Sequence, residues 1–324
     1  MPDTAGAQRV AAVEIVAPAR LHLGFLDLGG GLGRRFGSLG LAIDGFDARL
    51  RVTRAEALDA AGPDAARARD YAALAAARLG VSPNVRVTIA ATSPAHAGFG
   101  SGTQLALAVA SALARLNGIA LSATDLAATV GRGARSGVGV GIFERGGFVL
   151  DGGRRVEGGI APILLRLAFP SAWRLLLALD PERRGLHGPA EASAFTHLPF
   201  FADALSGRLC REVLLRLLPG LVEQDFAAVS LAIGEMQREL GDYFSSAQRG
   251  RYTSPSVGDA LAAVAARGMV GVGQSSWGPT GFALMKDAAQ ADAMAANLSA
   301  DPRFAALQFR VVAAANRGAD VTTD

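Results

Sequence analysis

The chain is 324 residues long, 50% hydrophobic, 19% charged and 6% aromatic, with a formal net charge of +3. That composition excludes disordered, collagen-like and coiled-coil chains, and the length suggests one large or two medium domains. One cysteine, Cys210, excludes an internal disulfide and a cysteine cluster for zinc or iron–sulfur, so a reducing, cytoplasmic setting is expected. No basic stretch leads into an apolar run at residues 1–10, so no secretory signal is expected. Residues 160–179 are apolar but carry Arg166, Pro170 and Arg174, and fall short of the roughly 20 apolar residues of a membrane helix. Lys286 is the only lysine, and the arginines are scattered, which argues against a nucleic-acid surface. The 40 glycines are clustered, at 27–40, 98–102, 131–153 and 268–281.

In chain order, apolar runs at 13–16, 39–43, 48–52 and 85–90 predict strands, and 64–79 a helix that stops at Gly80. Leu105, Ala108, Val109, Ala112 and Leu116 recur at helical spacing, predicting a buried helix over 101–116 directly after a glycine loop. A shorter helix over 122–130 follows, with Ser122 or Thr124 as cap. Alternation predicts strands at 138–143 and 148–150, closed by a turn at Asp151-Gly152-Gly153. Strands at 163–168 and 174–179, helices at 203–218, 223–240 and 257–266, strands at 269–272 and 282–285, a helix at 288–300 and a strand at 307–312 complete the pattern. This order suits an α+β fold of mixed and antiparallel sheets with helices packed on them, divided near 153–159 into domains 1–157 and 158–324. No fixed-period repeat is present.

The most specific signal is Pro94-Ala-His96-Ala-Gly98-Phe-Gly100-Ser101-Gly102-Thr103-Gln104, between a strand and a helix. Glycines there let backbone approach an anion, and the N–H groups of the following helical turn face it. A plain strand-to-helix turn is the alternative at this point. The spacing matches neither the dinucleotide fingerprint nor the Walker loop.

With Pro18-Ala-Arg20-Leu-His22-Leu-Gly24 before it and Gly273-Gln274-Ser275-Ser276-Trp277-Gly-Pro279-Thr280-Gly281 after it, this loop resembles the three ordered motifs of the GHMP kinase superfamily. In many of those kinases an aspartate base follows a Ser-Gly pair. Here Ser136-Gly137-Val138 is followed by Gly139. A narrower series resembles the β-ribofuranosylaminobenzene 5'-phosphate synthases. It runs through Arg20-Leu-His22, Asp27-Leu, Gly37-Ser38-x-Gly40, the 96–104 loop, Gly131-Arg132-Gly133-x-x-Ser136-Gly137-x-Gly139, Phe143-Glu144-x-Gly146-Gly147-Phe148, Gly185-Leu-His187-Gly188-x-x-Glu191, Gln248-x-Gly250-x-Tyr252 and 273–280.

The resemblance implies a two-domain GHMP-kinase-like fold. It also implies a transferase of tetrahydromethanopterin biosynthesis that condenses phosphoribosyl pyrophosphate with 4-aminobenzoate or 4-hydroxybenzoate, releasing CO2 and pyrophosphate, with Mg2+. In that reading Arg20, His22 and Asp27 are catalytic. Gly98, Gly100, Ser101, Gly102, Thr103, Arg132, Arg135 and Ser136 hold phosphate or pyrophosphate. Gln274, Ser275, Ser276, Trp277 and Thr280 bind substrate, and Thr103 or Asp27 contacts the metal. Each has a structural counter-reading: a lone histidine is usually structural, Asp27 suits a turn before glycines, Thr103 suits a helix cap, and Trp277 suits a domain interface. An ATP-dependent small-molecule kinase and a non-catalytic ligand-binding relative are the alternatives. The expected partners are small-molecule substrates, with no nucleic acid, no membrane and a homodimer as the default assembly.

Overall fold

The computed structural model describes residues 10–324. Residues 1–9, most of the stretch read above for a signal, lie outside the described residues. One sheet of seven strands is built on two long antiparallel strands, Ala12–Asp27 and Gly37–Arg54. Val85–Ala91 and the short Asp59–Ala61 extend one side, with Asp59–Ala61 parallel to its neighbour. Phe148–Asp151 pairs with the other half of Gly37–Arg54, and Ile163–Leu167 pairs with Phe148–Asp151. A second sheet runs in the order Val272–Gln274, Gly281–Met285, Arg174–Leu179, Gln308–Val312, antiparallel throughout. The α+β expectation with mixed and antiparallel sheets holds. Two strands beyond residue 157 nevertheless join the first sheet: Ile163–Leu167, and Asp320–Thr323, which returns to pair with Val13–Val16.

The helix Ser101–Leu116 is buried on nearly every face, between the first sheet and the helices Ala65–Leu79, Ala123–Thr129 and Val138–Arg145. Its N-terminus therefore has a fixed position at the end of the sheet. A capping box between Ser122 and Asp125 starts Ala123–Thr129.

Residues 138–145 form a helix where alternation predicted a strand. Glycine at 139 and 141 produces the period of two, and both glycines are there for close packing. A Cβ at Gly139 would lie 3.0 Å from Thr103 Cγ2, and one at Gly141 2.9 Å from Val149 Cγ1. The buried Asp151 carboxylate sets the start of this helix. It accepts hydrogen bonds from Gly137 N–H (2.8 Å), Gly153 N–H (2.9 Å) and the Ser38 hydroxyl (2.6 Å). Burial pushes the Asp151 carboxyl up, and these donors counter the shift.

In the second half the predicted helix 203–218 is broken into Asp203–Glu212, a π-turn Val213–Leu217 and Leu218–Glu223, before the long Phe226–Gln248 capped by Asp225. The strand predicted at 269–272 forms instead at Val272–Gln274. A helix at Gly188–His197, with no buried residue, carried no apolar periodicity to predict it. One apolar core joins Leu21, Leu23 and Phe148 of the first sheet to Met236, Phe282 and Leu284 of the second half, so the two halves share their packing.

Asp151 has three N–H and two hydroxyl donors around it, and an amide accepts through only one oxygen. Asp151→Asn should therefore lower the unfolding free energy by about 1–3 kcal/mol with the urea m-value unchanged.

Candidate functional site

Three segments distant in sequence meet at one carbonyl. Gly98 O accepts hydrogen bonds from the Arg20 guanidinium and from Ser275 Oγ, the latter at 2.7 Å. Ser275 Oγ in turn accepts the His22 N–H at 2.9 Å. Arg20 N–H donates to Phe99 O (3.1 Å) and Ser276 N–H to His22 O (3.2 Å). The contact is close enough to require glycine: at φ +90°, a Cβ on Gly98 would lie 2.6 Å from Ser275 O. A bulge between His22 and Gly24 in the first strand shifts the register beside this junction.

The helix Ser101–Leu116 opens at Gly100, φ +71°, with no side-chain cap; Thr103 N–H turns back to Gly100 O (2.9 Å), and the Ser101 and Gly102 N–H groups are left for an anion. Two adjoining cavities surround it. The larger, ≈ 400 Å³, is lined by Arg20, His22, Phe25, residues 131–136 and Gly139. The other, ≈ 360 Å³, is lined by residues 98–103, Arg67, Tyr71, His96, His187 and Trp277. Arg20, Thr103, Arg132, Glu191 and Ser276 face both.

Positive charge dominates. Arg20, Arg67, Arg132 and Arg135 face carboxylate only at Glu191, which pairs with Arg135 at 2.5 Å, and at Asp64, which pairs with Arg67 at 3.1 Å. Arg132 lies over the Tyr71 ring, 5.1 Å from its centroid, and hydrogen-bonds its hydroxyl. Burial pulls Arg20 down to about 10, a shift countered by Glu191, so it remains a cation at neutral pH. A partly buried guanidinium hydrogen-bonded to a carbonyl gains when an anion joins it. His22 is buried, with both ring nitrogens unpartnered. Burial and then Arg20 pull it down to about 3, so the imidazole is neutral and offers one donor and one acceptor. The His96 and His187 rings stack at 3.5 Å, and burial, then His187 and Arg67, lower His96.

Of the residues picked out from sequence, Arg20, His22, Gly98, Gly100, Ser101, Gly102, Thr103, Arg132, Arg135, Ser136, Ser276 and Trp277 line the cavities. Ser136 is also braced from behind by Ser38 Oγ (2.7 Å) and Asp151 (3.1 Å). Ser275 is wholly buried as the junction between segments, and Gln274 accepts the Thr253 N–H (2.7 Å). Thr280 is wholly buried and lines neither cavity. Asp27 is not brought to the site: its carboxylate closes a turn onto Gly29 and Gly30 N–H (2.7 and 3.2 Å) and faces a separate apolar hollow with Cys210. Arg67 and Tyr71 enter from the helix Ala65–Leu79, whose composition carried no sign of a site. Among the described residues no three His, Cys, Asp or Glu side chains are grouped as a metal cage.

His22 makes stability pH-dependent. Its folded pKa lies below the ordinary 6.5, so the unfolded chain takes up the extra proton, and its contribution is present above pH 6.5 and lost as pH falls toward 3. Urea midpoints should therefore decline from pH 6.5 to 5, and His22→Asn should flatten that decline. Ser275→Ala leaves the His22 N–H without an acceptor and should cost about 1–3 kcal/mol in the same unfolding measurement.

Residues 66–147 match the GHMP kinases N terminal domain, and residues 217–302 match the GHMP kinases C terminal domain. The chain is 31% identical over 280 residues to the β-ribofuranosylphenol 5'-phosphate synthase of Archaeoglobus fulgidus, covering 82% of this chain and 86% of the relative. It is 30% identical over 292 residues to that of Methanothermobacter thermautotrophicus, covering 83% and 88%. Among solved structures, mevalonate diphosphate decarboxylase from Staphylococcus aureus aligns over 97% of this chain and 98% of its own, with TM-score 0.70 at 14% identity. Homoserine kinase from Cytophaga hutchinsonii aligns over 99% and 100%, with TM-score 0.67 at 17% identity, and both likenesses are of fold. The chain belongs to the β-ribofuranosylphenol 5'-phosphate synthase family, an enzyme family on the GHMP kinase fold.

Proposed function

We propose that this enzyme transfers the phosphoribosyl group of phosphoribosyl pyrophosphate to a para-substituted benzoate, with loss of CO2 and pyrophosphate. The observation that carries the reading is the set of partly buried arginines, Arg20, Arg67, Arg132 and Arg135, around an uncapped helix N-terminus, in a chain whose curated relatives are named as ribofuranosylphenol phosphate synthases. That product name places a hydroxyl on the ring of the relatives' product, so 4-hydroxybenzoate stands beside 4-aminobenzoate as the acid used here. The pathway is tetrahydromethanopterin biosynthesis, and the enzyme acts in the cytoplasm. Among the described residues, no helix is long and apolar enough to cross a membrane.

The chemistry balances without a net proton. The C1–O bond to pyrophosphate breaks with its electron pair leaving on oxygen, and the ring carbon bearing the carboxylate bonds to C1. The C–CO2 bond then breaks and its electron pair restores the aromatic ring. A phosphoryl transfer to an alcohol must remove a proton, whereas this reaction has none to remove, and Gly139 stands where the kinases' aspartate is expected. A side chain there would crowd Thr103. The residues lining the two cavities divide the work. The 100–103 backbone, Arg20 and Arg132 take the growing charge on pyrophosphate. Neutral His22 and the Phe25 ring, which line the larger cavity and not the other, face the aromatic acid.

Mg2+ fits a site of this composition, because it keeps several waters and binds substrate phosphates with one or two protein oxygens. Glu191 and the Thr103 hydroxyl would hold it here. Bound, it would neutralise pyrophosphate charge.

Wild-type protein with phosphoribosyl pyrophosphate, 4-hydroxybenzoate or 4-aminobenzoate and Mg2+ should release CO2 and pyrophosphate in equal amounts, and release of neither from folded protein contradicts the proposal. Arg20→Gln should lower kcat by about 10²-fold or more. Gly139→Asp should lose turnover while its unfolding transition stays cooperative.

A further inference from the structure

A narrow cleft opens off the larger cavity beside His22 and Phe25, and the function proposed above gives it no role. Its other rings are Phe244, Tyr252 and Trp277, and Phe244 and Trp277 meet edge to face at 4.8 Å. The first strand and the helix Phe226–Gln248 close tightly around it. A Cβ on Gly24 would fall 2.3 Å from Leu240 Cδ1, and one on Gly241 2.4 Å from Arg251 Cγ. The cleft holds ≈ 40 Å³, a tenth of the cavity it leaves. That is room for about three water-sized groups, which need roughly 10–15 Å³ each, and too little for a whole ring or a sugar phosphate.

Its polar groups are unevenly satisfied. The Gln274 and Gln248 amides are engaged with each other and with Ser276 O and Arg251 O. The Tyr252 hydroxyl, half-buried, has no hydrogen-bond partner among the described residues. His22 lines the mouth with both ring nitrogens free. Two unpartnered donor–acceptor groups lining one small cleft suit a ligand atom that donates to one and accepts from the other.

The geometry points to this cleft as the seat of the amino or hydroxyl group para to the carboxylate of the aromatic substrate, paired with the Tyr252 hydroxyl and His22. This rests on the aromatic-acid reading above. The ring then lies at the mouth against Phe25, and the carboxylate-bearing carbon stays in the larger cavity, on the side of Arg20. A para group of this kind is also the electron donor that makes that carbon nucleophilic, so the cleft selects for binding the same feature that gives reactivity. A methyl or hydrogen there leaves His22 and the Tyr252 hydroxyl unpaired, and a bulkier substituent does not enter.

The test is calorimetric titration of the full chain with 4-hydroxybenzoate, 4-aminobenzoate, benzoate and 4-acetamidobenzoate, in wild type, Tyr252→Phe and Leu240→Phe. Wild type should bind the first two about tenfold more tightly than benzoate and reject the acetamide. Tyr252→Phe should bring 4-hydroxybenzoate to within about twofold of benzoate with phosphoribosyl pyrophosphate binding unchanged, and Leu240→Phe, which narrows the cleft, should weaken the para-substituted acids more than benzoate. A preference that survives in Tyr252→Phe, an acetamide that binds like the amine, or a wild type that binds none of the acids overturns the assignment. Selective binding without CO2 release overturns the reaction and leaves the cleft standing. CO2 release with selectivity unaltered by Tyr252→Phe overturns the cleft and leaves the reaction standing.

Discussion

The carbonyl of Gly98 is where this molecule is tied together. An oxygen with two lone pairs receives Arg20 from the first strand and Ser275 from the second half, and Ser275 passes the connection on to the backbone of His22. Those bonds fix the guanidinium beside the start of the helix Ser101–Leu116. They also leave the His22 ring at the boundary between a cavity and a cleft. Neither half of the chain contains the site alone. The shared core that runs from Leu21 and Phe148 to Met236 and Phe282 holds the halves in the register these bonds need.

Electrostatics follows from that geometry. Arg20 is partly buried, and the structure gives it a carbonyl as its hydrogen-bond partner, with Glu191 as the carboxylate whose charge it feels. Such a cation gains when a polyanion arrives. Glu191 moderates this field through Arg135, on a helix that touches the core through Phe195. The absence of a carboxylate at Gly139 belongs to the same economy of charge. The proposed reaction moves no net proton and has no use for a base there, and an aspartate would oppose the anions the other residues attract.

Much of this was legible in the sequence, for identifiable reasons. The helix Ser101–Leu116 and the loop before it were plain because helical spacing and a glycine cluster are local signals. The three motifs could be aligned with a superfamily, but what joins them could not be read from their spacing: Ser275 reads as one serine among several until its hydroxyl is seen between Gly98 and His22. Asp27 followed its local chemistry as a turn former, the reading its place before Gly29 and Gly30 already offered against the catalytic one. Residues 138–143 misled because glycine at alternate positions mimics a strand, whereas here each glycine admits a neighbouring element to a helix. Arg67, Tyr71 and the Asp151 brace left no trace, since tertiary contacts alone bring them to the site.

The central claim is that an ATP-type phosphate cradle has been fitted to the diphosphate of a pentose, with Arg20 as its partly buried counter-charge. Calorimetric titration of wild type and Arg20→Gln with phosphoribosyl pyrophosphate and with ATP, each with Mg2+, tests it most directly. The account predicts that wild type binds phosphoribosyl pyrophosphate well over tenfold more tightly than ATP and that Arg20→Gln loses this preference. Tighter binding of ATP, or an undiminished affinity of Arg20→Gln for phosphoribosyl pyrophosphate, would contradict it.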